Sequence, residues 1–139
     1  MNFTIDSSVI VASLREQEPA HGKSRAFLRQ VIEGKHTAHE SAIVVVEVTA
    51  AIRRRTGSSE LARKVRQNLL KLPSFIFHEL TESRMNSAAR IGEQISLRGM
   101  DSIVAQISQE KESPLVTLDK EFAKKAKQIV TVKDVDRFL

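Results

Sequence analysis

The chain has no cysteine, tryptophan or tyrosine, and only three prolines and five glycines in 139 residues. Without cysteine there can be no disulfide, no thiolate zinc site and no thiol nucleophile, which fits a reducing compartment. Six phenylalanines are the whole aromatic complement. Several occupy core positions, so nothing is left to build a base-stacking platform. No run of 18 apolar residues is available to span a bilayer, and no basic segment leads into an apolar one at the N-terminus. The expected location is therefore the cytoplasm, with no membrane partner. Phosphate loops of the G-x-x-x-x-G-K-[ST] and G-x-G-x-x-G kinds are missing, as is a G-x-S-x-G nucleophile turn.

Charge is plentiful. Lys and Arg total 22 against 17 acids, a formal net charge of +5 with a pI near 9.8. That balance suits a polyanionic partner, although many ordinary soluble proteins share it. The length is that of one domain, enough to bury roughly two thirds of the surface an unfolded chain exposes. No repeat, linker or low-complexity tract divides it, so a single domain over 1–139 is expected.

Short apolar runs alternate with longer stretches of helical periodicity, which predicts an α/β domain with a mostly parallel sheet. Strands are expected at 3–5, 74–80, 115–118 and 129–132. Residues 35–40 are too polar to be read as a strand. Helices are expected at 7–14, after the Glu18-Pro19 break with Phe27, Leu28, Val31 and Ile32 at core spacing and an end near Gly34, and at 41–55, the last capped by Ser41 and stopped by Gly57. Further helices cover 58–70, with Leu61, Val65, Leu69 and Leu72 as the buried stripe, and 82–97, with Met85, Ala88, Ala89, Ile91 and Ile95 inward. Two more cover 101–111 and 120–127. His36 and His39 read as surface residues.

Most acids, such as Glu60, Glu82, Glu110 and Glu112, lie among polar neighbours. Four do not. Within SAIVVVEVTAAIRRR, Glu47 has Ile43, Val44, Ala50 and Ala51 as its helical neighbours, which puts it on the buried side. An unpaired carboxylate there is costly, and no cation stands at helical pairing distance. Its plain structural reading is a tertiary ion pair, for example with Arg98. Asp6, Asp101 and Asp119 each precede a helix, so each taken alone is explained as an N-cap. Together they suggest more, because Asp6 and Asp119 stand at the carboxyl ends of two expected parallel strands, the edge where open α/β sheets bind ligands. If all four acids converge, they form a cup with Ser7, Ser102 and Thr117 as its neutral polar groups.

Like charges so close require protons or a cation. Oxygen ligands without cysteine favour magnesium or manganese. Such an ion can bridge phosphate oxygens and activate water, so phosphodiester hydrolysis is the expected chemistry. Arg53, Arg54 and Arg55, then Arg63, Lys64 and Arg66, and lastly Lys124, Lys125 and Lys127 could engage a backbone. Equally, they could be solvated helix faces.

The blocks TIDSSVIVASL, VVVEVTAAIRRR, RGMDSIVAQISQE and SPLVTLDKEFAKKA, in this order and spacing, resemble the PIN-domain ribonucleases, most closely the VapC-like toxins of toxin–antitoxin pairs. The resemblance implies a three-layer α/β/α sandwich on a parallel sheet of four or five strands, including a short strand before Ser41. It also implies Mg2+- or Mn2+-dependent cleavage of RNA, a small antitoxin partner and a homodimer. The family's acids fall on Asp6, Glu47, Asp101 and Asp119. Asp6, Asp101 and Asp119 are then the expected metal ligands, with Ser7 and Thr117 beside the metal and Glu47 acting on the attacking water. The alternatives are a phosphoacceptor receiver-like domain, which lacks here its usual pair of acids after the first strand, and a non-catalytic α/β interaction module.

Overall fold

The apolar start of the chain forms strand β1, Asn2–Ile5, whose Phe3 and Ile5 are fully buried. The structure, a computed structural model, describes residues 1–138, with the backbone alone at 137 and 138; residue 139, the end of the expected domain, lies outside the described residues. Helix α1, Ser7–Leu14, and helix α2, His21–Ile32, follow, α2 burying Phe27, Leu28 and Val31.

Strand β2, Thr37–Ser41, stands where the polar TAHES argued against one. It pairs in parallel with β1 on one side and with strand β3, Phe75–His78, on the other, so two ladders outweigh its composition. His36 and His39 are half-buried rather than on the surface. His36 packs edge-on against Phe3 with ring centres 5.0 Å apart, and His39 stacks on His78 at 5.3 Å.

Helix α3, Ile43–Thr56, ends at Gly57, whose φ of 71° lies in the left-handed region that glycine adopts without strain. Helix α4, Ser59–Lys71, is capped by the Ser58 hydroxyl, which accepts from the Leu61 N–H. Its buried line is Ala62 and Leu69, with Val65 and Leu72 packed beside them. Leu61 is exposed instead, its place in the stripe taken by Ala62. Helix α5, Glu82–Gln94, turns Ala88 and Ile91 inward but leaves Met85 and Ala89 exposed. It stops before residue 97, and the Ser96 carbonyl accepts from Lys125 rather than from another helical turn.

Helix α6, Gly99–Glu110, leads to strand β4, Leu115–Val116, and helix α7, Lys120–Ala126. Strand β5, Val132–Lys133, lies later than expected, since the N–H groups of Ile129 and Val130 are used on the Ala126 carbonyl. A 3-10 turn, Val135–Phe138, closes against α2.

The five-stranded sheet has the order β3-β2-β1-β4-β5, and every pair is parallel. Right-handed crossovers therefore put α1 to α4 on one face and α5 to α7 on the other, the α/β/α sandwich. Contacts agree: α1 packs on α2 and α3, α3 on α4, and α6 on α5, β1 and β2. The chain reverses direction across the sheet between β1 and β4. At such a switch point the crossovers diverge and leave a crevice at the strands' carboxyl ends.

Candidate active site

Asp6 follows β1 directly and is 7% exposed. It occupies the N-cap position of α1 yet makes no capping bond. Its Oδ2 instead accepts from the Ser8 hydroxyl at 2.7 Å and from the Thr117 hydroxyl at 2.8 Å. Capping thus fails to explain this aspartate. Thr117 comes from just beyond β4, and its Oγ1 also accepts from the Asp119 N–H at 3.1 Å. Ser8 ties the same two chain segments by accepting from the Leu118 N–H at 3.1 Å.

Asp119 does cap its helix. Its Oδ1 accepts from the N–H groups of Glu121 and Phe122 at 3.0 and 3.1 Å, leaving Oδ2 to accept from Arg98 Nη2 at 2.9 Å. Arg98 Nε donates to Asp101 Oδ2 at 3.1 Å. Asp101 lies two residues inside α6, whose N-cap is Arg98, so it is no cap either. Burial raises the Asp101 carboxyl above its ordinary value, Arg98 pulls it back, and Asp6 and Asp119 push it up again.

Glu47 sits at the cleft wall, half-buried, beside the fully packed line of Val44, Val48, Ala51 and Ile52. The guanidinium of Arg98 is engaged by Asp101 and Asp119, so the simple Glu47 ion pair is replaced by a bridge between two other acids. Glu47 Oε1 is buried with no hydrogen-bond partner among the described residues. Burial pushes its carboxyl up to about 7; the charges of Asp6 and Asp101 add to the rise, and Arg98 opposes it. A raised, unpartnered carboxyl facing two more acids is the electrostatic mark of a site poised for a proton or a cation.

All four acids line one cleft of about 390 Å3, together with Ser7, Ser8, Arg54, Arg55 and Arg98. Ser7 lines the cleft, while Ser8, passed over in the sequence, is the serine bonded to Asp6. Ser102 is turned back onto the Arg98 carbonyl at 3.0 Å. Arg55 is held by Glu18. Among the described residues no three acidic or histidine side chains already stand at mutual metal-ligating distance; Arg98 bridges two of the acids. The donor set is nonetheless all oxygen, with an orphaned buried oxygen and mutually repelling carboxylates, which fits a hard dication.

The PIN domain family profile matches residues 3–128. The chain belongs to the PIN-domain family. Solved structures share its fold at low identity. VapC20 of Mycobacterium tuberculosis, a sarcin-ricin loop cleaving toxin, superposes with a TM-score of 0.75 at 18% identity, covering 96% of this chain and 99% of that one. VapBC2 of Rickettsia felis, bound to a DNA fragment from its promoter, gives 0.71 at 13%, covering 96% and 98%. FitAcB of Neisseria gonorrhoeae gives 0.70 at 20%, covering 97% and 98%. No curated protein sequence matches the chain.

One acid of this PIN domain escaped the sequence reading. Glu40, in the polar stretch of β2, is 0% exposed. Its Oε2 accepts from the Ile5 N–H at 2.9 Å, and its Oε1 has no partner among the described residues. The β1–β2 register covers just Asn2 with Thr37 and Phe3 with Ala38, so the carboxyl group takes the Ile5 donor where that ladder has ended. Burial drives the Glu40 carboxyl well above its usual value, the Ile5 N–H opposes this, and Asp6 adds to it. Nothing in the residues 35–40 marks Glu40 as buried, because burial there is set by β1 and β3.

Proposed function

We propose that residues 1–139 act as one PIN domain that hydrolyses RNA phosphodiester bonds in the presence of Mg2+ or Mn2+, as the toxin of a toxin–antitoxin pair in the cytoplasm. The observation that carries this reading is the convergence of Asp6, Glu47, Asp101 and Asp119, from four separate segments, on one cleft at the sheet's switch point.

Asp6, Asp101 and Asp119 would hold the ion, Asp6 with one oxygen already oriented by Ser8 and Thr117. When bound, the ion supplies charge neutralisation for the phosphate and its leaving oxygen. Glu47, with a carboxyl near neutrality, is suited to take the proton of the attacking water. The water oxygen bonds to phosphorus, the phosphorus bond to the leaving ribose oxygen breaks, and that oxygen takes a proton from solvent. Ser7 lines the approach and Thr117 keeps Asp6 and Asp119 in register.

The toxin role follows VapC20, a sarcin-ricin loop cleaving toxin. The family resemblance further implies a small antitoxin partner and a homodimer. Among the described residues no helix is long and apolar enough to cross a membrane.

The test is cleavage of RNA by purified protein with Mg2+, with Mn2+ and with EDTA. Cleavage should require the dication. Asp6→Asn and Asp101→Asn should each lower the rate by about a hundredfold or more while melting as cooperatively as the wild type. A folded variant of either kind that cuts at the wild-type rate overturns the assignment.

A further inference from the structure

The acid cleft sets four carboxylates against Arg54, Arg55 and Arg98, and Arg55 and Arg98 are already paired, so a polyanion entering it gains from further cations nearby. A second cleft of about 430 Å3, lined by Lys23, Lys120, Lys127 and Lys133, has Thr117 and Leu118 in its wall, while Asp119 of the same β4–α7 turn lines the acid cleft. The lysines come from α2, the start of α7, the residue after α7, and β5. Asp134 is the one acid among the lining residues.

These cations are not spent on structure. Lys23 meets Asp136 at 3.3 Å, but Lys120, Lys127 and Lys133 make no ion pair among the described residues. The contrast with Lys125 is instructive, since the sequence groups it with Lys124 and Lys127. Lys125 is bonded to Glu121 at 3.3 Å and to the Ser96 carbonyl. Unpaired lysines gathered in a concavity repel one another, and a bound anion relieves that repulsion. Thr117 joins the two clefts: it lines the lysine cleft and donates to Asp6 in the acid cleft.

We propose that the lysine cleft is a backbone-phosphate site for single-stranded RNA, holding a phosphodiester a short distance along the strand from the bond that is cut. The strand then crosses the β4–α7 turn at Thr117, with its scissile phosphate among the acids and a neighbouring phosphate among the lysines. The proposal rests on the nuclease reading. Lysine suits the task, being a mobile point charge that engages phosphate without reading a base.

The test compares three proteins across a salt series: the wild type, the triple variant Lys120→Gln/Lys127→Gln/Lys133→Gln, and the triple variant Lys35→Gln/Lys71→Gln/Arg90→Gln. The last removes the same charge at exposed positions outside both clefts. Removing the cleft lysines should raise KM for RNA about tenfold at moderate salt, keep kcat within about twofold, and reduce the logarithmic salt slope of RNA binding by about two. The control variant should change none of these. Equal KM shifts in both triple variants, or an unchanged salt slope, would overturn the site in favour of diffuse charge. Unchanged KM would also follow if the cleft served an acidic protein partner, and it removes the RNA site. If the wild type cuts no RNA with either dication, the nuclease reading and this proposal fall together; cleavage insensitive to the lysines removes this proposal alone. Should the triple variant fold poorly, Lys127→Gln by itself should reduce the slope by about 0.7, and no change overturns the site.

Discussion

The Thr117 hydroxyl donates to Asp6 Oδ2 at 2.8 Å across 111 residues of sequence. The bond ties the residue following β1 to the residue following β4, on either side of the point where the chain reverses across the sheet. Thr117→Val keeps the shape and removes the donor. Its loss should lower stability by about 1 kcal/mol in urea titrations and slow RNA cleavage, whereas Thr117→Ser should restore most of both. Equal rates for the valine and serine variants would mean that the hydroxyl does not orient Asp6 for the reaction.

Arg98 bridges Asp101 and Asp119, so a dication held as proposed would compete with its guanidinium for both carboxylates. Arg98→Gln should therefore bind Mn2+ more tightly than the wild type does. Thermal melts with increasing Mn2+ would read this as a larger upward shift at equal metal concentration. A smaller shift would mean that Arg98 preorganises the acids rather than competing for them.

Glu47 holds its proton more tightly in the folded chain, with a carboxyl raised from 4.5 to about 7. Such a group contributes stability that is fully present below the unfolded value and lost as pH rises through the folded one. Relative to Glu47→Gln, the wild type should lose stability between pH 4.5 and about 7. If Glu47 takes the water's proton, the rising limb of the pH–rate profile near pH 7 should also disappear in Glu47→Gln. Parallel pH–stability curves for the two proteins would place Glu47 in solvent.

Glu40 is buried and held by one backbone donor, and burial favours its protonated, neutral form. Glu40→Gln mimics that neutral state and should cost about 1 kcal/mol or less. Glu40→Ala strands the Ile5 N–H and opens a void at a fully buried position, costing about 3 kcal/mol. Denaturant titrations at pH 7 distinguish the two. If glutamine destabilises as much as alanine, the carboxyl is ionised in the folded state.

Much of the architecture was readable along the chain, because apolar periodicity is a local property. The apolar runs of β1 and β3, the helical stripe of α2 and the Gly57 stop of α3 all stand close to where spacing puts them. The four cleft acids were also legible as charges out of place against apolar or strand-end surroundings.

What the sequence determined by itself was where most helices and apolar strands lie and which acids stand against apolar neighbours or at the ends of expected strands, since both depend on neighbours within a few residues. The tertiary structure alone decided that Asp119 caps a helix while Asp6 does not. It also made polar β2 a strand with a buried Glu40, gave Arg98 to two aspartates rather than to Glu47, and set lysines from four segments around one cleft. Each of these depends on which strands lie side by side, and the order β3-β2-β1-β4-β5 brings together residues that no local spacing connects.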